Sequence, residues 1–257
     1  MASVTSKARI RIRDPTPADI PVIADIHFDA FGTNVAGKLL SPNGVTAEQK
    51  KRFAASLYPL PEPTIENGEM ILKVVEIFPE GVSDDGAPGE VIAFAKWDLH
   101  RHPRTEEQWD VDIPMQTLET LGEGSNPEFH NAFLRGLHLK RKELAKGDPV
   151  LMLKILCTAP HRQRLGAGWA LITWGTALAD QLGIPTQLEA SPPGYPLYKR
   201  AGYQPVGMHD LEVIKTFGGI REEGESFGEN TVEDLGPLPE GVYRTSIMRR
   251  PARTKAE

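Results

Sequence analysis

The run Leu151-Met152-Leu153-Lys154-Ile155-Leu156-Cys157-Thr158 and the turn Pro160-His161-Arg162-Gln163-Arg164-Leu165-Gly166-Ala167-Gly168 decide the fold, together with the helical pattern over residues 169–182. The first is an apolar run of strand length. Gly166 and Gly168 lack a Cβ, so the backbone turns sharply there and can approach a ligand closely. The helix that follows leaves its first N–H groups without partners, and its dipole adds partial positive charge. A phosphate at that end satisfies both. Arg162 and Arg164 add cationic charge beside the turn. Taken alone, G-x-G marks a plain strand-to-helix turn more often than a ligand site.

Two phosphate motifs are excluded. A dinucleotide fingerprint needs a third glycine at position 171, which is Leu171, although Glu189 stands near the place of its acidic partner. The G-x-x-x-x-G-K-[ST] loop is absent. What remains is Gln163-x-x-Gly166-x-Gly168, a short strand over residues 186–190, and Leu197-Tyr198-Lys199-Arg200-Ala201-Gly202-Tyr203. In that order and spacing they resemble the GNAT superfamily of acyl-CoA-dependent N-acyltransferases. Its [Gln/Arg]-x-x-Gly-x-[Gly/Ala] signature and its Leu-Tyr-x-x-x-Gly-Phe segment are both matched, with Tyr203 in place of Phe. Leu188-Glu189-Ala190-Ser191 with the following Gly194 and Leu197-Tyr198, and the ending Val242-Tyr243-Arg244-Thr245-Ser246-Ile247, look like a fungal branch. The resemblance is strong over residues 150–214, extends to both ends and is absent from the middle.

It implies an α/β fold with a mixed, mostly antiparallel central sheet flanked by helices, in one domain over residues 1–257. Acyl-CoA would lie along the strand ending at Leu156, Cys157 and Thr158, with its pyrophosphate on the backbone of Gln163, Arg164, Leu165, Gly166, Ala167 and Gly168. Ser191 stands where the family often has a longer Asn. Tyr198 aligns with the family's general-acid tyrosine. A phenol with an ordinary pKa of about 10 is protonated at neutral pH and can donate to a leaving thiolate. Tyr195 is read as a possible pocket wall and Tyr203 as core. The general base is open. The strand before the turn carries no carboxylate. Glu189, between Leu188 and Ala190, is one candidate, with a pKa raised by desolvation. The alternative is that it holds a loop or pairs with Lys154. His138, Asp98 and a water chain are further candidates. The implied activity is transfer of an acetyl group from acetyl-CoA to a primary amine, a small molecule, by direct attack in a ternary complex. The alternatives are a non-catalytic acyl-CoA-binding module, or an acetyltransferase acting on protein N-termini or lysines.

Composition sets the outer bounds. The 257 residues are 40% hydrophobic and 25% charged, an ordinary globular balance. A net charge of −6 and a pI near 5.7 argue against nucleic acid, which needs a basic face. The single cysteine, Cys157, permits no internal disulfide and suits a reducing, cytoplasmic setting. Residues 1–13 do not read as a signal peptide, and the apolar stretch 169–179 is too short to span a bilayer. The histidines show no metal-ligand spacing, so no metal is expected. A monomer or homodimer is expected.

Along the rest of the chain, Ile10-Arg11-Ile12-Arg13 alternates as a strand. Thr16, Pro17 and Asp19 mark a helix start, and Thr46 caps a second helix that stops before Pro59. Residues 70–78 and 90–99 read as strands joined by a hairpin loop at 80–89. Residues 101–127 read as polar loop and 128–145 as a helix with a Phe129, Phe133, Leu137, Leu144 stripe. Together residues 100–147 form an insertion of about 45 residues between the third and fourth strands, long for such a connection. It is either a lid or a wall of the acceptor pocket, or else a surface element or dimer contact. Residues 205–215 and 241–250 read as strands, 217–238 as an exposed loop and 252–257 as a frayed tail.

Overall fold

The computed structural model describes residues 9–64, 68–78 and 88–253. Seven strands form one sheet: β1 (Arg9–Arg13), β2 (Glu69–Phe78), β3 (Glu90–His100), β4 (Val150–Thr158), β5 (Thr186–Ala190), β6 (Gln204–Glu212) and β7 (Val242–Arg250). Their spatial order is β1-β2-β3-β4-β5-β7-β6. Every neighbouring pair is antiparallel except β4 and β5, which are parallel. This is the mixed, mostly antiparallel sheet that the sequence implies. The hairpin loop expected at 80–89 and the frayed tail at 252–257 fall largely outside the described residues.

Six helices place the site: α1 (Ile20–Phe31), α2 (Val35–Leu40), α3 (Ala47–Leu57), α4 (Gly136–Ala145), α5 (Ala167–Leu182) and α6 (Tyr195–Arg200). The helix α5 makes the crossover between the parallel strands, as such a connection requires. It packs on one face of the sheet, where Val75, Ala95, Trp97, Leu153 and Leu188 meet Leu171 and Ile172. Contact is close enough that a Cβ on Gly175 would lie 2.2 Å from the Trp97 ring. On the opposite face α1 and α3 cover Leu72, Val74, Phe94 and Cys157. Thr46 caps α3 as expected, its hydroxyl accepting from the Gln49 N–H at 3.1 Å.

The insertion is more ordered than a loop. The stretch expected to be polar loop holds two single helical turns, Glu106–Trp109 and Leu118–Leu121, each started by a threonine, Thr105 and Thr117. The expected helix over 128–145 is present, with a π turn at Asn131–Arg135 before α4. The insertion lies across α2 and α3, where the Asn126 N–H donates to the Leu40 carbonyl at 3.0 Å and Gln49 Nε2 to Ser125 Oγ at 2.9 Å.

Residues 217–238 correct an expectation. They are not simply exposed: Phe227 and Thr231 are buried, and Phe227 meets the Tyr243 ring edge-on at 5.7 Å. The Gly- and Glu-rich composition masks two aromatic anchors, Phe227 and Phe217, the latter edge-on to Phe129 at 5.1 Å. The segment also reaches the turn after β5, where Asn230 Nδ2 donates to the Pro192 carbonyl at 2.8 Å.

Candidate functional site

The site begins where two strands part. β4 and β5 pair at Leu151↔Thr186, Met152↔Gln187 and Leu153↔Leu188 and no further. Beyond that, β4 continues against β3 to Thr158 and β5 continues against β7 to Ala190. The parting starts at a bulge: Lys96 faces Ile155 and Trp97 faces Leu153, so Lys154 is the extra residue on β4. A bulge bends its strand and raises its twist. The edge of β4 that carries Leu156, Cys157 and Thr158 therefore has no strand partner on the β5 side. An extended ligand with amide groups can pair with such an edge as another strand would.

At the far end of β4 the chain passes through a short 3-10 turn, Pro160–Arg162, and then Gln163 to Gly166. Arg164 (φ 65) and Gly166 (φ 91) are both left-handed, which reverses the chain into α5. Ala170 is the first residue to bond back, its N–H donating to the Gly166 carbonyl at 2.9 Å. The N–H groups of Ala167, Gly168 and Trp169 are thus left at the helix start for a ligand. A Cβ on Gly168 would lie 3.5 Å from Leu197 and 3.6 Å from Leu156, so the turn adjoins both α6 and the free edge of β4. Of the two arginines expected to serve an anion, Arg162 is engaged elsewhere. Its guanidinium donates to both Glu90 oxygens at 3.0 and 2.6 Å. Arg164 makes no ion pair in the described structure and remains available.

Tyr198 comes to the opposite wall of the wedge on α6. Its ring meets Tyr203 edge-on at 6.1 Å. It also packs on Gly194, where a Cβ would lie 3.0 Å from the Tyr198 ring and 3.4 Å from Ser191 Oγ. Burial first, then the nearby Cys157 and Tyr203, push the Tyr198 phenol above its ordinary value. It is a protonated donor at neutral pH. Burial also pushes the Cys157 thiol up, so it is no thiolate nucleophile. Tyr195, read as a pocket wall, is instead a strut. Its hydroxyl donates to Asp234 Oδ2 at 2.6 Å, which Lys199 Nζ also meets at 2.7 Å.

Glu189 departs from expectation. It is the first β5 residue past the last β4 pair, and both its oxygens accept from Arg141 of α4 at 2.7 Å. Burial alone would raise its pKa, but the charge and hydrogen bonds of Arg141, helped by Lys154, hold it below the ordinary carboxylate range. The pairing with Lys154 is likewise corrected: the salt bridge goes to Arg141. Nothing in the sequence around Arg141 distinguishes it from its neighbours in the helical stripe. Lys154, by contrast, was visible as the one charge within an apolar run.

Beside this ion pair, under α4, lies a cavity of about 90 Å³. Asp98, His138 and Lys154 line it, so two of the outlying base candidates converge there. Burial, then Arg141 and Lys154, lower the His138 pKa to about 4, which keeps the ring neutral. Among the described residues, no group of three or more His, Cys, Asp or Glu is arranged to hold a metal, and no helix is long and apolar enough to cross a membrane.

No protein-family model and no curated protein matches the chain. Solved structures do. The C-terminal condensation domain of Ebony, in complex with β-alanyl-dopamine, is 13% identical over 95% of this chain and 100% of that one, with a TM-score of 0.56. Arylalkylamine N-acetyltransferase 2 from Aedes aegypti is 13% identical with the same coverage and a TM-score of 0.53. A Drosophila melanogaster polyamine N-acetyltransferase that forms N-acetylagmatine is 11% identical, again over 95% and 100%, at 0.52. At such identity the likeness is one of fold. The seven-stranded mixed sheet with its flanking helices is the GNAT fold.

Proposed function

We propose that this protein is an acyl-CoA-dependent N-acyltransferase of one domain, with acetyl-CoA as donor and a small primary amine as acceptor. The observation that carries the reading is the wedge between β4 and β5, with the glycine turn at one end and a buried, protonated Tyr198 on its wall. Leu156, Cys157 and Thr158 would pair with the pantetheine amides. Gln163, Arg164, Leu165, Gly166, Ala167 and Gly168 would hold the pyrophosphate, and Ser191 would offer one hydroxyl near Tyr198. The motif around Leu188 to Ser191 is the one feature that supports a fungal-type branch within this reading.

The chemistry follows from these placements. A neutral amine attacks the thioester carbonyl directly, because the buried Cys157 thiol offers no covalent relay. The tetrahedral oxyanion is met by backbone N–H groups on the free edge of β4. The thiolate leaves with the proton of Tyr198. Glu189 acts through its ion pair rather than as a free base, since both oxygens are occupied. The amine proton then leaves through water.

Calorimetric titration with acetyl-CoA and CoA tests this first, with Gly166→Glu as control. Binding that the control abolishes, followed by an amine screen in which Tyr198→Phe loses about 10²–10⁴-fold in kcat, supports the enzyme. Binding without turnover on any amine or peptide leaves a non-catalytic acyl-CoA module. No binding at millimolar CoA ends the reading.

A further inference from the structure

The cavity under α4 holds more positive charge than the protein itself satisfies. Lys154 lines it and makes no hydrogen bond or ion pair within the described structure, and burial, then Arg141, lower its pKa to about 8, which leaves it mostly charged at neutral pH. Arg104 lines it from the insertion, and its Nε is buried without a hydrogen-bond partner. Of the other cations there, Arg141 is matched by Glu189 and Lys142 by Asp110 at 2.6 Å, and Lys146 is exposed to solvent. Asp98 is the one acid on the lining, and it forms no salt bridge. His100 and His138 are both held neutral by burial, each lowered to about 4. A buried cation without a partner is costly, and a carboxylate repays that cost through charge-assisted hydrogen bonds.

Position and size narrow the ligand. Lys154 is the bulge residue at the apex of the wedge, immediately past the last β4–β5 pair. A donor entering from the glycine turn would deliver its acyl group toward this apex. The cavity of about 90 Å³ has room for roughly six to nine water-sized positions at ~10–15 Å³ each. That admits a small acid.

We propose that Arg104 and Lys154 form an anion subsite that binds a carboxylate on the acceptor, so the acceptor is a small amino acid rather than a plain alkylamine. This rests on the N-acyltransferase reading and names the substrate class of that site. The arrangement also explains why Glu189 is locked to Arg141: a free carboxylate there would compete for Lys154.

The test compares acceptors that differ only in the carboxylate: glycine with methylamine, β-alanine with ethylamine, and 4-aminobutyrate with propylamine. Acetylation by the full-length protein is expected to favour the acid of at least one pair by tenfold or more in kcat/KM. Lys154→Met and Arg104→Met are each expected to reduce that preference at least tenfold, mainly through the KM of the amino acid. A preference for the plain amine in every pair overturns the subsite while leaving the acyltransferase reading intact. So does a stronger preference for phosphoethanolamine than for any carboxylate. A second arm needs no turnover. With CoA present, N-acetylglycine is expected to bind wild type in ligand-observed NMR, N-methylacetamide to bind at least tenfold more weakly, and Lys154→Met to lose the difference. Equal binding of the two probes, or N-acetylglycine binding unchanged in both variants, overturns the proposal even where no acceptor amine is found.

Discussion

The two faces of the central sheet differ at adjacent positions. Trp97, Leu153 and Leu188 point toward α5 and are buried in an apolar core. Their neighbours Asp98, Lys154 and Glu189 lie on the other side, against the insertion. Strand alternation puts successive side chains on opposite faces, so one stretch of backbone serves both. The α5 face is held by area removed from water and needs no partner specificity. The insertion face carries charges that only paired neighbours or a ligand make tolerable. The second face is itself divided: under α1 and α3 it buries an apolar cluster of its own, and only under the insertion does it carry these charges.

The sharpest way to break this division is at Trp97, which is fully buried against Gly175. Trp97→Ala is expected to cost about 3–5 kcal/mol in chemical denaturation, as large aromatic deletions do. A loss under 1 kcal/mol would mean that α5 is not the main anchor of the sheet.

The corresponding probe of the charged face is Glu189→Leu. It leaves Arg141 buried and unmatched, at an expected cost of about 3 kcal/mol. The double variant Glu189→Leu with Arg141→Met is expected to recover most of that loss, because neither charge is then stranded. A double variant as unstable as the single one would show that the pair does not act as a unit, and that α4 is held by other contacts.

The same contrast explains what could be read in the sequence. The α5 face was legible because its signals are local: an apolar run, a glycine turn, then a helical period. Tyr198 stands out through the family resemblance that Leu197 to Tyr203 carries, whereas the parting of β4 and β5 is visible only in the strand register. The charged face was only half legible. Lys154, Asp98 and Glu189 stood out as charges on or beside apolar strands. Arg104 and Arg141, which give them meaning, lie in the insertion, and Arg141 is 48 positions from Glu189. No period or motif connects them. Phe227 and Phe217 were hidden for the same reason, as isolated aromatics in a polar segment whose contacts, Tyr243 and Phe129, lie on distant elements.

Acid provides a gentler probe, since the shifted histidines lie on the insertion side or on α1. Burial lowers His27, His100 and His138 to about 4 from an ordinary 6.5. A histidine depressed in the folded state takes up its proton more readily when unfolded. Its contribution is therefore full above pH 6.5 and is lost as pH falls from there toward 4. Thermal stability is expected to decline across that window. His27→Phe, at a ring stacked on Phe53 at 4.0 Å, is expected to flatten the decline. An unchanged slope would place the acid sensitivity at the histidines on the insertion side, His100 and His138 together with His130 and His209, which burial lowers in the same direction.

The smallest effect separates the two glycines of the turn, where the α5 face meets the wedge. Gly166 has open space around it but a φ of 91, so Gly166→Ala is strained by its backbone alone, by about 1–2 kcal/mol. Gly168 lies within α5, where an added methyl makes ordinary contacts with Leu197 and Leu156. Gly168→Ala is expected to leave stability within about 0.5 kcal/mol of wild type, helix propensity offsetting any crowding. Its methyl sits at the mouth of the wedge, so it is the acetyl-CoA affinity, read by calorimetry, that this variant reports. A stability loss at Gly168 equal to that at Gly166 would show that the second glycine serves the packing of α5 against β4. Unequal stability losses, with weakened cofactor binding at Gly168, would place it on the ligand side, as the short distance to the free edge of β4 requires.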